Sequence, residues 1–233
     1  MERPFTAFGP SHAIVIVLAL AVPVALASLV RRGSSEKLPR TMSLTFVAAL
    51  ITTWAIWYWM IAQRGWISAQ TVLPMNLCDW ATIATVATLL RPSQRTYELA
   101  YFWALSGTLQ ALVTPELFYD FPDLRFVIFF LFHGGTIAAV LFLTLARGMR
   151  PYPSSLPRVV AWSLLYLACA ITVNRLFGTN FGYLSAKPAK PSLLDLMGPW
   201  PAYVFELVGL GILYVLLLYA PFFVADRLRA RRT

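Results

Sequence analysis

The chain has 233 residues, of which 59% are hydrophobic and only 12% charged, with a mean hydropathy of +0.67 and a formal net charge of +9. Soluble domains carry about twice that share of charge, so an ordinary water-facing exterior, a disordered scaffold and a second soluble domain are all excluded. Two cysteines, Cys78 and Cys169, are too few for a disulfide framework.

Seven apolar segments, between 17 and 23 residues long, follow one another at 12–30, 41–62, 73–90, 97–113, 126–145, 159–177 and 202–224. About 20 residues of helix cross the hydrocarbon core of a bilayer, so the sequence predicts one all-α domain of seven transmembrane helices. The first segment follows a leader with one base and one acid rather than a positively charged one, which predicts a retained helix rather than a cleaved signal. Pro23 lies in its middle and predicts a kink that neighbouring helices compensate. The third segment carries Asn76, Cys78 and Asp79. The fourth, only just long enough to span, runs from Glu98 near one end to Gln110 near the other. Glu98 is expected to be solvated or paired with Arg95. The fifth holds His133 ahead of Gly134-Gly135, a pair that lets another helix approach closely. The sixth ends on Asn174 and Arg175, and the seventh carries Glu206. Between these last two runs the longest loop, 178–201, where four prolines predict a shaped cap rather than a flexible linker.

Basic residues set the orientation. If the segments alternate across the membrane, thirteen lysines and arginines fall on one side and six on the other (Arg3, Arg64, Arg125, Arg175, Lys187 and Lys190). The richer side faces the cytoplasm, which predicts an N-terminus outside, a C-terminus inside and a multi-pass protein of the plasma membrane. The positive charge is therefore topological, and the Arg-rich C-terminal tail anchors against anionic lipid rather than nucleic acid.

Ionisable groups within a span are costly, about 2.5–3.5 kcal/mol each on the insertion scale. At 1.5 Å per residue, Cys78 is expected roughly 8 Å, His133 roughly 12 Å and Glu206 roughly 6 Å below the outer ends of their helices. His12, Gln110 and Asn174 fall at similar heights, and the inner half is almost free of polar groups. This predicts one polar pocket opening toward the outer leaflet. Arg175 serves equally as a pocket-lining or a snorkelling residue, and Cys169 reads as a small buried hydrophobe.

A cysteine and a histidine supply a nucleophile and a base. Desolvation keeps the isolated thiol and imidazole neutral, and proton exchange between them relieves the penalty. Asp79, Glu206 and Asn174 are candidates for orienting the ring. Two histidines on different helices, without a His-x-x-x-His pair, argue against a metal centre, and no loop can house a nucleotide-binding domain. No metal, cofactor or nucleic acid is expected. The three lysines lie in loops, which excludes a retinal Schiff base.

The runs Phe8-Gly9-Pro10-Ser11-His12, Leu73-Pro74-Met75-Asn76-Leu77-Cys78-Asp79 and Phe132-His133-Gly134 resemble the YwaF family of bacterial integral membrane proteins. The run from Asn174 through Thr179 and Asn180 to Lys187-Pro188, and then Gly198-Pro199-Trp200-Pro201, is the longest match. That family is similar to an animal transmembrane acyltransferase that remodels ether phospholipids and, more distantly, to the androgen-induced hydrolases of branched fatty-acid esters. The resemblance implies a lipid transacylase or hydrolase with Cys78 as nucleophile and His133 as base, acting on membrane phospholipid. His12, Asn76, Asp79, Gln110, Asn174, Arg175, Asn180 and Glu206 would then support the site or position substrate. Family members often carry histidine at the position of Asn76 and Tyr-Met at Phe181-Gly182. The alternative is a transporter or small-molecule- or lipid-binding protein whose pocket does no chemistry. Acyl donor, acceptor and oligomeric state are not readable from the sequence.

Overall fold

The structure is a computed structural model and describes residues 3–33, 35, 37–189 and 191–231. Lys190 and Arg232, both counted in the charge asymmetry, lie outside the described residues. Nine α-helices occur among the described residues: α1 (Pro10–Arg32), α2 (Lys37–Arg64), α3 (Ala69–Val72), α4 (Leu77–Leu90), α5 (Gln94–Trp103), α6 (Leu109–Val113), α7 (Leu124–Leu145), α8 (Ser155–Phe177) and α9 (Ala202–Ala230). The described residues are all-helical, as the lengths of the apolar segments predict. Six helical stretches are long and apolar enough to cross a membrane: α1, α2, the α3–α4 stretch, α7, α8 and α9.

Most helices outrun the predicted spans. α2 continues to Arg64 and α9 to Ala230, carrying Arg227 and Arg229 in the last turn of α9. Apolar composition marks only the hydrocarbon-facing part of a helix, whereas basic residues in a last turn complement its dipole and let it continue. α1 runs unbroken through Pro23, and Pro221 lies inside α9 in the same way.

The predicted third and fourth segments are not simple rods. Leu73, φ −78° and ψ 128°, is driven out of helical conformation by the following Pro74, and α3 stops there. The chain restarts at α4 behind Asn76, whose N–H donates to Asp79 Oδ2 at 2.9 Å, one half of a capping box. Residues 94–113 form one helical run in which a π-turn, Ala104–Thr108, separates α5 from α6.

The chain divides into two compact units, 1–149 and 150–233. In the first, α7 is the central helix, packed by α1, α2, α4, α5 and α6. Its small residues explain this position. A Cβ on Gly134 would lie 3.5 Å from Ala19 of α1, and one on Gly135 would lie 3.4 Å from Leu50 of α2, so the glycine pair admits two helices. Phe126, Phe130 and Ile137 of α7 form a buried cluster with Ala19, Leu112 and Leu117. Tyr97 Oη lies 2.8 Å from Thr144 near one end of α7, while Leu112 meets Gly134 nearer its middle. The 94–113 run is therefore antiparallel to α7. It is antiparallel to α4 too, since Gly107 meets Leu77 and Thr88 bonds Thr96. Hence α4 and α7 run parallel. At the start of α7, Arg125 grips Asp123 in a two-point pair of 2.8 and 2.7 Å. These bonds hold the Asp123 carboxyl below the usual carboxylate range, so the pair stabilises at neutral pH and its contribution fades as pH falls through that lowered range.

In the second unit α8 packs with α9 and with the loop between them, which folds into two 3₁₀ turns, Phe181–Tyr183 and Leu193–Leu196. This matches the shaped cap that its prolines predict. Asn180 Oδ1 accepts from Ser185 and Ala186 N–H, Lys187 Nζ donates to Met197 O at 2.8 Å, and Trp200 Nε1 donates to Leu184 O at 3.2 Å. Gly182 has φ +65°, and a Cβ there would lie 2.8 Å from Tyr166 Oη; Gly178 has φ +64° with open space around it. Gly178→Ala is thus expected to cost about 1–2 kcal/mol, the left-handed strain alone. Gly182→Ala adds a steric clash, and its thermal midpoint in detergent falls further.

Candidate functional site

The candidate residues divide between the units. His12, Asn76, Cys78, Asp79, Gln110 and His133 belong to the first; Asn174, Arg175, Asn180 and Glu206 belong to the second.

The break at 73–76 determines where Cys78 sits. α4 starts at Leu77, so Cys78 is its second residue and half-buried, within the first turn rather than several residues down a continuous helix. The first N–H groups of a helix lack intrahelical acceptors and carry partial positive charge. Asp79 completes the cap of this turn by accepting from Asn76 N–H, so that oxygen is engaged within α4 itself.

His133 is buried on α7 with its ring stacked on Phe129, centroids 4.2 Å apart, and edge-on to Phe132. Its Nδ1 lies 2.8 Å from Phe129 O. A carbonyl only accepts, so Nδ1 holds the proton and the neutral ring presents its lone pair at Nε2. The backbone of α7 thereby does the orienting work that the sequence assigns to Asp79, Glu206 or Asn174.

One contact relates the two residues. Thr82 Oγ1 and Thr136 Oγ1 lie 2.8 Å apart, both fully buried, across the α4–α7 interface. Thr82 also reaches Cys78 O at 2.8 Å, and Thr136 reaches Phe132 O at 2.7 Å. Cys78 is four residues before Thr82 and His133 three before Thr136. Both spacings keep a helix face. Since the helices are parallel, Cys78 and His133 each lie about one turn from this contact, toward the same end of the interface. The signal in the sequence is the threonine set Thr82, Thr85, Thr88, spaced by three in a helix that is otherwise apolar beyond its first turn.

The π-turn adds a further element. Gly107 packs so closely on α4 that a Cβ would lie 2.8 Å from Leu77 Cδ2, beside Cys78. Next to it Thr108 is fully buried, and its Oγ1 has no hydrogen-bond partner among the described residues. Such bulges recur at functional sites, and nothing in the pattern of residues 97–113 marks this one.

The remaining candidates have local partners. His12 is fully buried: Nδ1 accepts from Phe8 N–H at 2.9 Å and Nε2 lies 2.8 Å from Leu112 O, with Phe130 5.4 Å away. Both ring nitrogens are engaged, so this histidine braces α1 against the end of α6. Gln110 is half-buried on α6. Glu98 departs from expectation: it is 1% exposed and accepts from Gln94 Nε2 at 3.0 Å, so it is not solvated. In the second unit, Asn174 is buried and its side chain binds Thr179 and both backbone groups of Phe181. Asn180 organises the loop, Arg175 is exposed in the last turn of α8, and exposed Glu206 lies 3.3 Å from Gly198 N. Cys169 is half-buried rather than fully enclosed. Among the described residues no group of three His, Cys, Asp or Glu side chains converges as a metal centre would require.

Comparison with known proteins places this geometry in a context. A family model described as the TMEM164 family matches residues 7–219. An uncharacterised protein of Treponema pallidum (strain Nichols) is 29% identical over 163 residues, covering 70% of this chain and 66% of the relative. The chain thus spans just under two thirds of that relative's length. No solved structure matches.

Proposed function

The chain belongs to the TMEM164 family, and from that premise we propose that it is a membrane-embedded lipid acyltransferase in which Cys78 is the nucleophile and His133 the base. The resemblance to the YwaF membrane proteins and to the animal ether-phospholipid acyltransferase belongs to this reading. The observation that supports it is the buried Thr82–Thr136 contact, which joins the two parallel helices that carry Cys78 and His133, each about one turn from it.

The chemistry follows from those positions. His133 Nε2 takes the thiol proton as Cys78 Sγ attacks an acyl ester of a membrane phospholipid. The oxyanion develops beside the first turn of α4, where N–H groups and the helix dipole favour negative charge. Collapse breaks the ester C–O bond, and His133 returns the proton to the leaving lysolipid oxygen. A second lipid hydroxyl, or water in a hydrolase, then attacks the thioester; His133 Nε2 takes its proton and passes it to Cys78 Sγ as the C–S bond breaks, which restores the thiol. His12 braces the frame, and Asn76, Asp79 and Gln110 border the substrate path.

The same reading takes residues 94–113 as a seventh crossing, since 20 helical residues rise about 30 Å. It places the N-terminus outside, the C-terminus inside and the protein in the plasma membrane. Asn174, Arg175, Asn180 and Glu206 then belong to the outer boundary.

The test is to incubate the purified full chain in mixed micelles with a phospholipid of defined acyl chain and measure intact mass. Wild type is expected to gain one acyl mass, released by hydroxylamine, and Cys78→Ala none. Lipid that binds wild type without any adduct or transferred acyl group would replace this reading with the non-catalytic lipid-binding or transport alternative.

A further inference from the structure

A cavity of about 290 Å³ lies in the first unit at the opposite end of α4 from Cys78, between the start of α2 and the ends of α4 and α7. The 14 residues of α4 separate the two ends by about 20 Å, so this cavity is distinct from the acyl-transfer site and does not depend on it. Arg40 and Arg147 line it, with Ser43, Leu44, Leu90 and Pro92. Both arginines are exposed, and neither has a carboxylate partner among the described residues. Other arginines differ: Arg31 donates to Leu145 O, Arg125 binds Asp123, and Arg150 binds Asp226. Ser43 Oγ is already committed to Pro39 O at 2.9 Å, so the guanidinium pair dominates the polar wall. The apolar wall is unusual for a soluble-anion site, because Leu44 and Leu90 are 47% and 57% exposed at its rim.

We propose that this cleft binds the phosphate of an anionic phospholipid headgroup, held by Arg40 and Arg147, with the acyl chains running along Leu44 and Leu90. Guanidinium groups match phosphate oxygens in geometry and charge. Two guanidinium groups with no carboxylate partner among the described residues favour a headgroup of net negative charge and disfavour a zwitterionic one, whose cation they repel. The volume fits a headgroup but not whole chains, and exposed leucines on two helices supply the surface that chains require. Basic clefts between helices at a membrane boundary are suited to this recognition.

The experiment follows thermal unfolding of the full chain in detergent, by tryptophan fluorescence, against dioctanoyl phosphatidylglycerol, dioctanoyl phosphatidylcholine and inorganic phosphate at matched concentrations. Wild type is expected to rise in midpoint with phosphatidylglycerol and much less with the other two. Arg40→Gln/Arg147→Gln should weaken the apparent affinity about tenfold or more. Arg40→Lys/Arg147→Lys should retain part of it, and Arg64→Gln, at the far end of α2, all of it. Native mass spectrometry of retained phosphatidylglycerol provides a readout independent of the stability of the variants. An undiminished response in the Gln double variant, or an equal one with phosphatidylcholine, overturns the proposal. Inorganic phosphate giving the whole rise by itself overturns the lipid as occupant.

Discussion

Cys78→Ala is expected to abolish acyl transfer, and His133→Ala to slow it by about 10²–10⁴-fold, the usual contribution of a positioned general base. The two losses have different signatures. Without Cys78 no covalent intermediate forms. Without His133 the thiol remains in the first turn of α4 but has no proton acceptor, so its alkylation by iodoacetamide slows in parallel with turnover. A Cys169→Ala background isolates the Cys78 signal. Added imidazole should restore part of the His133→Ala rate and none of the Cys78→Ala rate. A merely structural histidine would behave otherwise: its loss would lower the thermal midpoint and leave Cys78 alkylation unslowed. Among the described residues the ring has one backbone anchor, Nδ1 to Phe129 O, so removing it leaves one buried carbonyl that its helix already satisfies. That limits the stability effect and keeps the kinetic one readable. His12→Ala is the instructive contrast, because both His12 nitrogens are engaged and its loss would act on stability first.

How far the sequence anticipates this site depends on which physical signal each part carries. Apolar length alone locates α1, α2, α7, α8 and α9, because burial in lipid demands it. The break before α4 is legible in retrospect: Leu73-Pro74 disfavours helix, and Asn76 followed by Asp79 three residues later is a capping pattern. Reading residues 73–90 as one rod overlooks both and sets Cys78 too far into its helix. The π-turn at 104–108 has no such marker, since Ser106-Gly107 is compatible with an unbroken helix. Glu98 misleads for another reason. A carboxylate near a helix end is usually solvated; the i, i+4 spacing on α5 puts Gln94 beside it, but only the tertiary fold buries it. The pairing of Thr82 with Thr136 is a contact across 54 residues, and spacing within a single helix cannot report it. The Gly134-Gly135 pair, by contrast, states its purpose locally: two missing side chains on adjacent faces admit α1 and α2.

The largest stability effect is expected at Asn174, which the sequence offers as a substrate-positioning residue and the structure uses to shape the chain after α8. Its Oδ1 accepts from Phe181 N–H and Thr179 Oγ1, each at 2.8 Å, and its Nδ2 donates to Phe181 O at 3.0 Å. Phe181 and Thr179 are themselves buried, so water cannot replace the lost partners without opening the turn. Asn174→Leu keeps the volume and removes all three bonds. At about 1–3 kcal/mol for each buried group left unpaired, the cost is about 3 kcal/mol or more, seen as a lower thermal midpoint and as proteolysis within residues 178–201. Asn174→Asp separates polarity from shape. Its carboxylate keeps the two acceptor bonds but faces Phe181 O without a hydrogen to offer, so the variant is destabilised at neutral pH. Protonation supplies that hydrogen, and the midpoint of Asn174→Asp relative to wild type should recover as pH is lowered through the carboxylate range. Asn174→Leu has nothing to protonate and should show no such recovery. If both variants matched wild type at neutral pH, the side chain would not be holding the turn, and the ordering of residues 178–201 would have to come from Gly178, Asn180 and the Trp200–Leu184 contact instead.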